Sequence, residues 1–393
     1  MPSTCEFQLN SPNGVYYSGQ CVSGNIILKT ESEKDIRSIR IRFLGESKVS
    51  WEEHESHRDS DGHTRTRTIY FRANEVYIDN STMARGAGKL PRGTYTFSFN
   101  IMLPMACPTS CEGKYGHTRY ALWLIVDRPL RFDNEFSKPL TVLRTVDLNL
   151  NPAFKVPVQA EEICSLGCWP CSSGKITYIL RVPFGAYAPG QTLRYSLLIQ
   201  NQSMSDISGY EVEFNEVVTF TAHTPRHKTR TTDNTLAHQA HEDKCLRLSN
   251  REFHGELVLP SLPPDTEGSG IIKVRHSLDF ELEVDGCHTN KNISVPIFIG
   301  TVPIRESLMN MPVPGPSQPV DNRFMEILPS APLLPPSENN SDKPPSYADL
   351  KPPSFEEAVR SASPFKDPDA NQHSQIIGFR PLYPVYPNSN QIE

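Results

Sequence analysis

The chain lacks a basic excess, a long apolar run and a secretory signal, and each absence excludes a class of protein. Its 393 residues carry a formal net charge of −6, whereas nucleic-acid-binding proteins usually carry a basic excess. The longest apolar run, around Tyr120 to Val126, has the length of a strand and is far shorter than a membrane-spanning helix. The first five residues lack the basic and apolar regions of a signal peptide. We therefore expect a cytoplasmic protein that binds no nucleic acid and associates with membranes only peripherally.

The sequence also lacks the motifs of common enzyme sites. It has no G-x-S-x-G elbow, no P-loop and no H-E-x-x-H pair, and its Ser, His and Asp residues show no ordered triad signature. We therefore predict no catalytic residue and no cofactor. The nine cysteines, an odd count in a chain without an export signal, indicate reduced thiols.

Strand patterns dominate the first 300 residues. Apolar and polar residues alternate over residues 39–43, 95–101 and 193–199, and no helical periodicity is sustained. Alternation with a period of two, interrupted by turn residues, is typical of half-buried antiparallel strands in a β-sandwich. The sequence therefore predicts an all-β fold. The charged stretch from His54 to His63 contains Gly62 and is interpreted as a solvated hairpin loop rather than a metal site.

A short repeat indicates two domains of one type. Residues 14–20 and 185–191 both read G-x-Y-x-x-G-Q, and each copy leads into an alternating strand. The distance between the copies leaves room for one sandwich domain and a linker. We predict one domain over residues 1–150 and a second over 170–303. The boundary should lie near residues 151–174, where the strand pattern lapses.

From residue 304 onward the composition changes. Eighteen of the 35 prolines lie between residues 303 and 393, and the apolar alternation stops. Such a segment buries too little apolar surface to offset its chain entropy, so we predict a disordered tail over residues 304–393. Within it, Pro344-Pro345-Ser346-Tyr347 is a PPxY tetrapeptide. Its prolines favour a polyproline II backbone and its tyrosine can fill a second pocket, so it suits the groove of a WW domain.

Several segments, in this order, resemble the α-arrestin family. In the first domain they are residues 14–24, Leu90–Phe97, Glu112–Gly116, Arg119-Tyr120 and Asp127–Pro129. In the second they are the Cys164–Cys171 cluster, the Gly185–Gln191 turn, Asn201–Ser203 and Ile299–Pro303. The tail adds the PPxY motif that α-arrestins usually carry. The resemblance covers nearly the whole chain.

This resemblance implies two tandem arrestin-like, immunoglobulin-like β-sandwiches in a curved body, whose concave faces engage membrane receptors or transporters. It also implies that the tail recruits WW-domain HECT ubiquitin ligases, so that the cargo is ubiquitinated and internalised. The protein would then be recruited to the plasma membrane and endosomes, without catalytic activity of its own. Many relatives have two PPxY motifs, whereas the second element here is Pro352-Pro353-Ser354-Phe355. Phe355 lacks the hydroxyl of tyrosine, so we expect weaker WW binding there.

Two other functions remain open from the sequence. One is a redox or metabolic regulator, because one α-arrestin branch that resembles this chain couples to thioredoxin through a cysteine. Cys245 is the positional candidate, but no motif surrounds it, and a reduced thiol without a role is the simpler interpretation. The other is a signalling scaffold that binds activated receptors without ubiquitin.

Two residue clusters have more than one interpretation. Cys164, Cys168 and Cys171 have a spacing that suits zinc, but the fourth ligand would have to come from elsewhere. We predict no metal there and retain reduced thiols or palmitoylation as alternatives. Basic residues concentrate in two places, where they either contact phosphate groups or anionic lipid headgroups or are plain surface charge. These residues are Arg58, Arg65, Arg67, Arg72, Arg226, Lys228 and Arg230.

Overall fold

The first half of the chain folds into two packed sheets. The computed structural model describes residues 3–58, 64–168, 171–266, 268–285, 291–305 and 379–386. The strands of the first domain are β1 (Ser3–Leu9), β2 (Val15–Tyr17), β3 (Cys21–Thr30), β4 (Lys34–Ile36), β5 (Ser38–Arg58), β6 (Thr64–Arg85), β7 (Gly88–Leu90), β8 (Gly93–Met102), β9 (Cys111–Gly113), β10 (Gly116–Asp127) and β11 (Asn134–Leu143).

One of the packed sheets has the strand order β1-β3-β8, and the other has the order β2-β11-β10-β5-β6 with β9 paired to β10. Strands β4 and β7 form a separate two-stranded sheet. The apolar residues that alternate with arginine in β5 lie in the core between the sheets: Ile39, Ile41 and Phe43 are buried. Phe43 lies opposite Leu122 in the antiparallel pairing with β10. The period of two in the sequence therefore fixes which side of each strand faces the core.

The second domain repeats this arrangement. Two 3₁₀ helices, Leu148–Leu150 and Pro152–Lys155, connect it to the first. Its strands are β12 (Val158–Cys168), β13 (Cys171–Val182), β14 (Ala186–Tyr187), β15 (Thr192–Asn201), β16 (Ile207–Ala222), β17 (Lys228–His241), β18 (Ser249–Val258), β19 (Ile272–Val284) and β20 (Lys291–Ile299). They form two sheets with the orders β12-β13-β15-β18 and β14-β20-β19-β16-β17. The predicted all-β fold with two tandem sandwiches is confirmed.

The repeated G-x-Y-x-x-G-Q segment has the same local structure in both domains. In each copy a short strand pairs in parallel with the last strand of the domain. The second glycine follows at a positive φ, 81° at Gly19 and 85° at Gly190, which non-glycine residues rarely adopt. The side-chain Oε1 of Gln20 and of Gln191 then accepts a hydrogen bond from the backbone N–H three residues earlier, at 2.9 and 2.8 Å. The motif is therefore a turn closed by its own glutamine.

The structure differs from the sequence prediction at two places. Strand β12 precedes the predicted start of the second domain at residue 170, yet it pairs with β13 over 158–182 and belongs to that domain. Its alternation is weak because it lies at a sheet edge, where side chains such as Ile163 are exposed. The expected loop from His54 to His63 is also shorter, because β5 extends to Arg58 and pairs with Thr64.

Two further observations complete the fold. Residues 379–386, which fall within the predicted tail, lie against both sandwiches. Among the residues that the structure describes, no helix has the length and apolar character needed to cross a bilayer.

Candidate functional site at the domain seam

The two sandwiches meet along an apolar interface that we call the seam. The first domain contributes Val49, Trp51, Phe71 and Cys111, and the second contributes Val218, Phe220, Ala222, Ile271, Ile272 and Val274, all buried in one cluster. Backbone hydrogen bonds cross it as well: Arg72 N–H donates to Thr224 O at 2.9 Å, and Thr224 N–H donates back to Arg72 O at 3.1 Å. A cluster of this size and apolar character favours a fixed arrangement of the two domains.

The segment Glu112–Gly116 builds the first-domain side of the seam. A Cβ atom on Gly113 would lie 2.5 Å from Cζ of Phe220, so glycine allows the ring of the second domain to approach the backbone. Tyr115 packs edge-on against the same ring, with centroids 5.7 Å apart and planes at 87°. Tyr115 also contacts Trp51 at 6.1 Å between centroids. One motif from the sequence therefore shapes the domain interface.

A buried ion pair supports this segment. Arg119 Nε donates to Glu112 Oε1 at 2.6 Å, and its Nη2 donates to Oε2 at 2.9 Å. The two side chains are only 10% and 4% exposed. Because both hydrogen bonds are charge-assisted and parallel, they fix β9 against β10 in one orientation. The neighbouring Tyr120 hydroxyl donates to Pro108 O at 2.7 Å, and burial raises the pKa of this phenol.

Three of the predicted phosphate-contact residues lie at the seam and pair with acidic residues of the first domain. Lys228 Nζ lies 2.5 Å from Glu53 Oε2, and Arg230 Nη2 lies 3.3 Å from Glu53 Oε1. Arg226 pairs with Glu55. The hydrogen bond from Lys228 is the largest cause of the lowered pKa of Glu53. These cations therefore join the domains, and their contact with phosphate groups or lipid headgroups stays a prediction.

The same cations lie over aromatic rings of the first domain. Lys228 Nζ and Arg226 Cζ lie 5.2 and 5.4 Å from the centroid of Phe71, and Arg230 Cζ lies 5.7 Å from that of Trp51. An aromatic ring attracts a cation over its face electrostatically, in addition to the packing contact. The seam thus has an apolar centre bordered by cation–aromatic and ionic contacts.

The remaining basic candidates lie on the hairpin of β5 and β6. Arg67 is exposed on β6. Arg72 stacks over Tyr70, with Cζ 5.3 Å from the ring centroid. The side chains of Arg58 and Arg65 lie outside the described residues. The structure therefore brings Arg226, Lys228 and Arg230 together at the seam, whereas Arg67 lies exposed on the β5–β6 hairpin.

A buried acid and histidine cluster lies on the second-domain side. His276 Nδ1 and Asp265 Oδ1 are 2.7 Å apart, and Arg275 Nη1 lies 3.6 Å from Asp265 Oδ2. His276 Nε2 lies 4.0 Å from Glu216 Oε2, and burial raises the pKa of Glu216. Sequence analysis missed this cluster because its members are far apart in the chain and form no motif.

The cysteine predictions fall on different environments. Cys245 is fully buried, and burial raises the pKa of its thiol. The thiolate needed for disulfide exchange is therefore disfavoured, although the thioredoxin hypothesis itself stays a prediction. Cys164 lies in β12, and Cys168 and Cys171 face each other across the end of the β12–β13 hairpin. The side chains of those last two residues lie outside the described part, so metal binding and lipidation there remain hypotheses.

One group of potential metal ligands occurs among the described residues. Glu211 and Glu213 on β16 and His238 on β17 bring their ligand atoms within 4.8 Å of one another. Exposed acidic groups of this kind are common without an ion. We assign no metal to them.

The motifs predicted to bind WW domains, Pro344–Tyr347 and Pro352–Phe355, lie outside the described residues. Their identification therefore rests on the sequence alone. They lie between the second domain and residues 379–386, so the segment that carries them is connected to the folded body on both sides.

Comparison with known proteins gives a consistent result for both domains. The family model of the arrestin (or S-antigen) N-terminal domain matches residues 5–149, and that of the C-terminal domain matches residues 172–304. Similar curated proteins include arrestin domain-containing protein 17 of Caenorhabditis elegans, 26% identical over 324 residues, which are 77% of this chain and 72% of that protein. Arrestin domain-containing protein 4 of Homo sapiens is 25% identical over 362 residues, covering 90% and 82%. Arrestin domain-containing protein 1 of Rattus norvegicus is 25% identical over 331 residues, covering 83% and 70%.

Proposed function

The chain belongs to the arrestin family, and from this premise we propose that it is an α-arrestin adaptor that links a WW-domain HECT ubiquitin ligase to membrane cargo. The observation that carries the proposal is the combination of two arrestin domains with a PPxY tetrapeptide in one chain. The domains supply a body that binds partner proteins, and the tetrapeptide supplies a separate attachment point. The protein acts by bringing two partners together and needs no catalytic residue of its own.

The ligase side of the proposal depends on Tyr347. In a PPxY peptide the prolines hold the backbone in polyproline II geometry, so binding costs little conformational entropy. The tyrosine ring and hydroxyl then occupy a second pocket of the WW domain. Phe355 retains the ring without the hydroxyl, so the element at Pro352 contributes less.

The cargo side of the proposal depends on the body as a unit. The seam contacts of Phe71 and Phe220 hold the two sandwiches in one arrangement, so both domains can present a common surface to a receptor or transporter. Binding of such cargo would recruit the protein from the cytoplasm to the plasma membrane and endosomes. Ubiquitination of the cargo by the attached ligase would then promote its internalisation.

The test compares full-length protein with its Tyr347→Ala variant. We expect wild-type protein to bind the tandem WW domains of a HECT ligase in calorimetry and to increase ubiquitination of co-expressed cargo. Tyr347→Ala should lose both effects and still co-precipitate the cargo. The matched control is Tyr70→Ala, an exposed tyrosine of the body, which should leave ligase binding unchanged.

A point substitution separates the adaptor from the scaffold better than removal of the tail. Deleting residues 304–393 would also remove residues 379–386, which contact both domains, and would so change the body itself. Unchanged WW affinity of Tyr347→Ala would overturn the ligase proposal. A cargo effect that persists fully in Tyr347→Ala would support a scaffold that acts without ubiquitin.

A further inference from the structure

Residues 379–386 contact the first domain through two hydrogen bonds. The hydroxyl of Tyr383 donates to Ser110 O at 2.9 Å. The backbone N–H of Leu382 donates to Thr141 Oγ1 at 3.0 Å. Thr141 belongs to β11 and Ser110 lies beside it, and β11 pairs with the repeated turn of the first domain.

The same residues contact the second domain through three hydrogen bonds. Ser261 Oγ donates to the backbone carbonyl of Tyr383 at 2.8 Å. Tyr386 donates twice, from its backbone N–H to Pro189 O at 2.9 Å and from its hydroxyl to Thr301 O at 3.0 Å. A short extended segment therefore bridges both sandwiches, and its backbone and side chains both take part.

The tyrosine at the centre of this segment is an apolar anchor. Tyr383 is 6% exposed and packs with Val15, Tyr17 and Leu143 of the first domain, while Leu382 and Tyr386 pack at the border. Burial removes most of this aromatic ring from water, which stabilises the docked segment. The site thus has a deep ring pocket with a hydrogen-bond acceptor at its end.

The body carries a backbone position shaped for the segment. A Cβ atom on Gly190 would lie 2.3 Å from the carbonyl oxygen and 2.9 Å from the nitrogen of Tyr386. Gly19 is the equivalent glycine of the first repeat and has a similar φ, but a Cβ there would meet the side chain of Met105 at 2.1 Å. Both copies of the motif therefore lie near the segment, but only the glycine of the second copy faces its backbone.

We propose that the groove between the two sandwiches is a binding site for an extended peptide of the form apolar-Tyr-Pro-apolar-Tyr. Leu382-Tyr383-Pro384-Val385-Tyr386 occupies it within the chain, and a peptide of the same pattern from another molecule exchanges with it. The site selects an unmodified tyrosine, because the buried Ser110 carbonyl accepts a hydrogen bond from the tyrosine hydroxyl. It also selects a peptide whose backbone lies close to Gly190, where the body has no side chain. This proposal is independent of ligase recruitment, because it uses no residue of the PPxY motif.

The experiment uses full-length protein and a fluorescent peptide of residues 379–386, with anisotropy as the readout. In the Tyr383→Ala/Tyr386→Ala chain the internal segment is weakened, so the peptide should bind at least about tenfold more tightly than it does to wild type, where the attached segment competes. Adding Gly190→Ala to that chain should abolish binding. Adding Gly19→Ala is the matched control and should retain it.

A second measurement does not require the peptide. The amide of Tyr386, which donates to Pro189 O, should be protected from hydrogen exchange in wild type and in Gly19→Ala, and should lose protection in Gly190→Ala. If Gly190→Ala does not fold, the test uses a peptide with Ala at the Tyr383 position instead. This peptide should fail to bind the Tyr383→Ala/Tyr386→Ala chain. Equal binding of the wild-type peptide to wild-type and doubly substituted chains would overturn the proposal. So would an unprotected Tyr386 amide in wild type.

Discussion

Removal of the charge of Glu112 tests whether the buried ion pair with Arg119 orients the seam. The carboxylate accepts two hydrogen bonds at 2.6 and 2.9 Å, and both side chains are nearly inaccessible. Glu112→Gln leaves a guanidinium without its counter-charge in a site from which water is largely excluded. Breaking such a buried pair from one side typically costs about 3–5 kcal/mol, so we expect a loss of about 3 kcal/mol.

The companion variants separate the pair interaction from the cost of a stranded charge. Arg119→Met should lose a similar amount, because it removes the guanidinium that donates both of these hydrogen bonds to the buried carboxylate. The double variant should recover most of the loss and lie within about 1 kcal/mol of wild type, since no buried charge remains. A matched surface control is Arg42→Met, which removes the ion pair between Arg42 and Asp79. Both of these side chains are about 40% exposed, so the loss should be less than about 1 kcal/mol.

Hydrogen exchange of the β10 amides is the suitable assay. Two packed domains need not unfold in one step, so a single melting temperature does not define the stability of either. Amide exchange reports the opening free energy of β10 directly. A stabilising role of the ion pair is refuted if each single variant changes this free energy by less than about 0.5 kcal/mol, or if the loss in the double variant equals the sum of the single losses.

Three further outcomes are expected. Phe355→Tyr creates a second full PPxY motif and should tighten binding to tandem WW domains by about tenfold or more through avidity, as calorimetry against single and tandem domains would show. The seam should weaken in acid. In the folded protein the pKa of Glu53 lies below its ordinary value of 4.5. The ion pairs of Glu53 therefore contribute fully to stability above pH 4.5, and this contribution is lost as the pH falls through the lowered pKa. Hydrogen-exchange protection of the Thr224 amide should fall with this loss in wild type and should not respond to it in Glu53→Gln. The same pH dependence of protection in both proteins would contradict the role given to Glu53. A peptide of residues 379–386 with phosphotyrosine at the Tyr383 position should not bind the groove, because the buried hydroxyl site has no room for a hydrated dianion. Anisotropy equal to that of the unmodified peptide would refute this.

The fold itself follows from local patterns in the sequence. Ile39, Ile41 and Phe43 alternate with arginine because one side of β5 faces the core, and that period is visible without any tertiary information. The G-x-Y-x-x-G-Q repeat predicted two domains of one type, since a turn closed by its own glutamine needs only neighbouring residues. Strand β12 was missed because an edge strand with exposed Ile163 lacks the burial that creates alternation.

The candidate site was predictable only in part. The sequence identified Glu112, Gly113 and Tyr115 as one segment, but their roles depend on Phe220, which is far away in the chain. The clustering of Arg226, Lys228 and Arg230 was also visible, yet the sequence does not reveal that Glu53 neutralises them, because the pairing arises where two domains meet.

By itself the sequence determined the all-β class, the two-domain repeat, the family resemblance and the PPxY motif, because each is encoded by residues close together in the chain. Packing between distant segments decides that the backbone of residues 379–386 lies against the glycine of the second repeat turn and not against that of the first. Both turns carry the same glycine at a similar φ, so local preference cannot distinguish them. The difference lies in what each glycine faces, Met105 at Gly19 and the backbone of Tyr386 at Gly190, and only packing of distant segments establishes that.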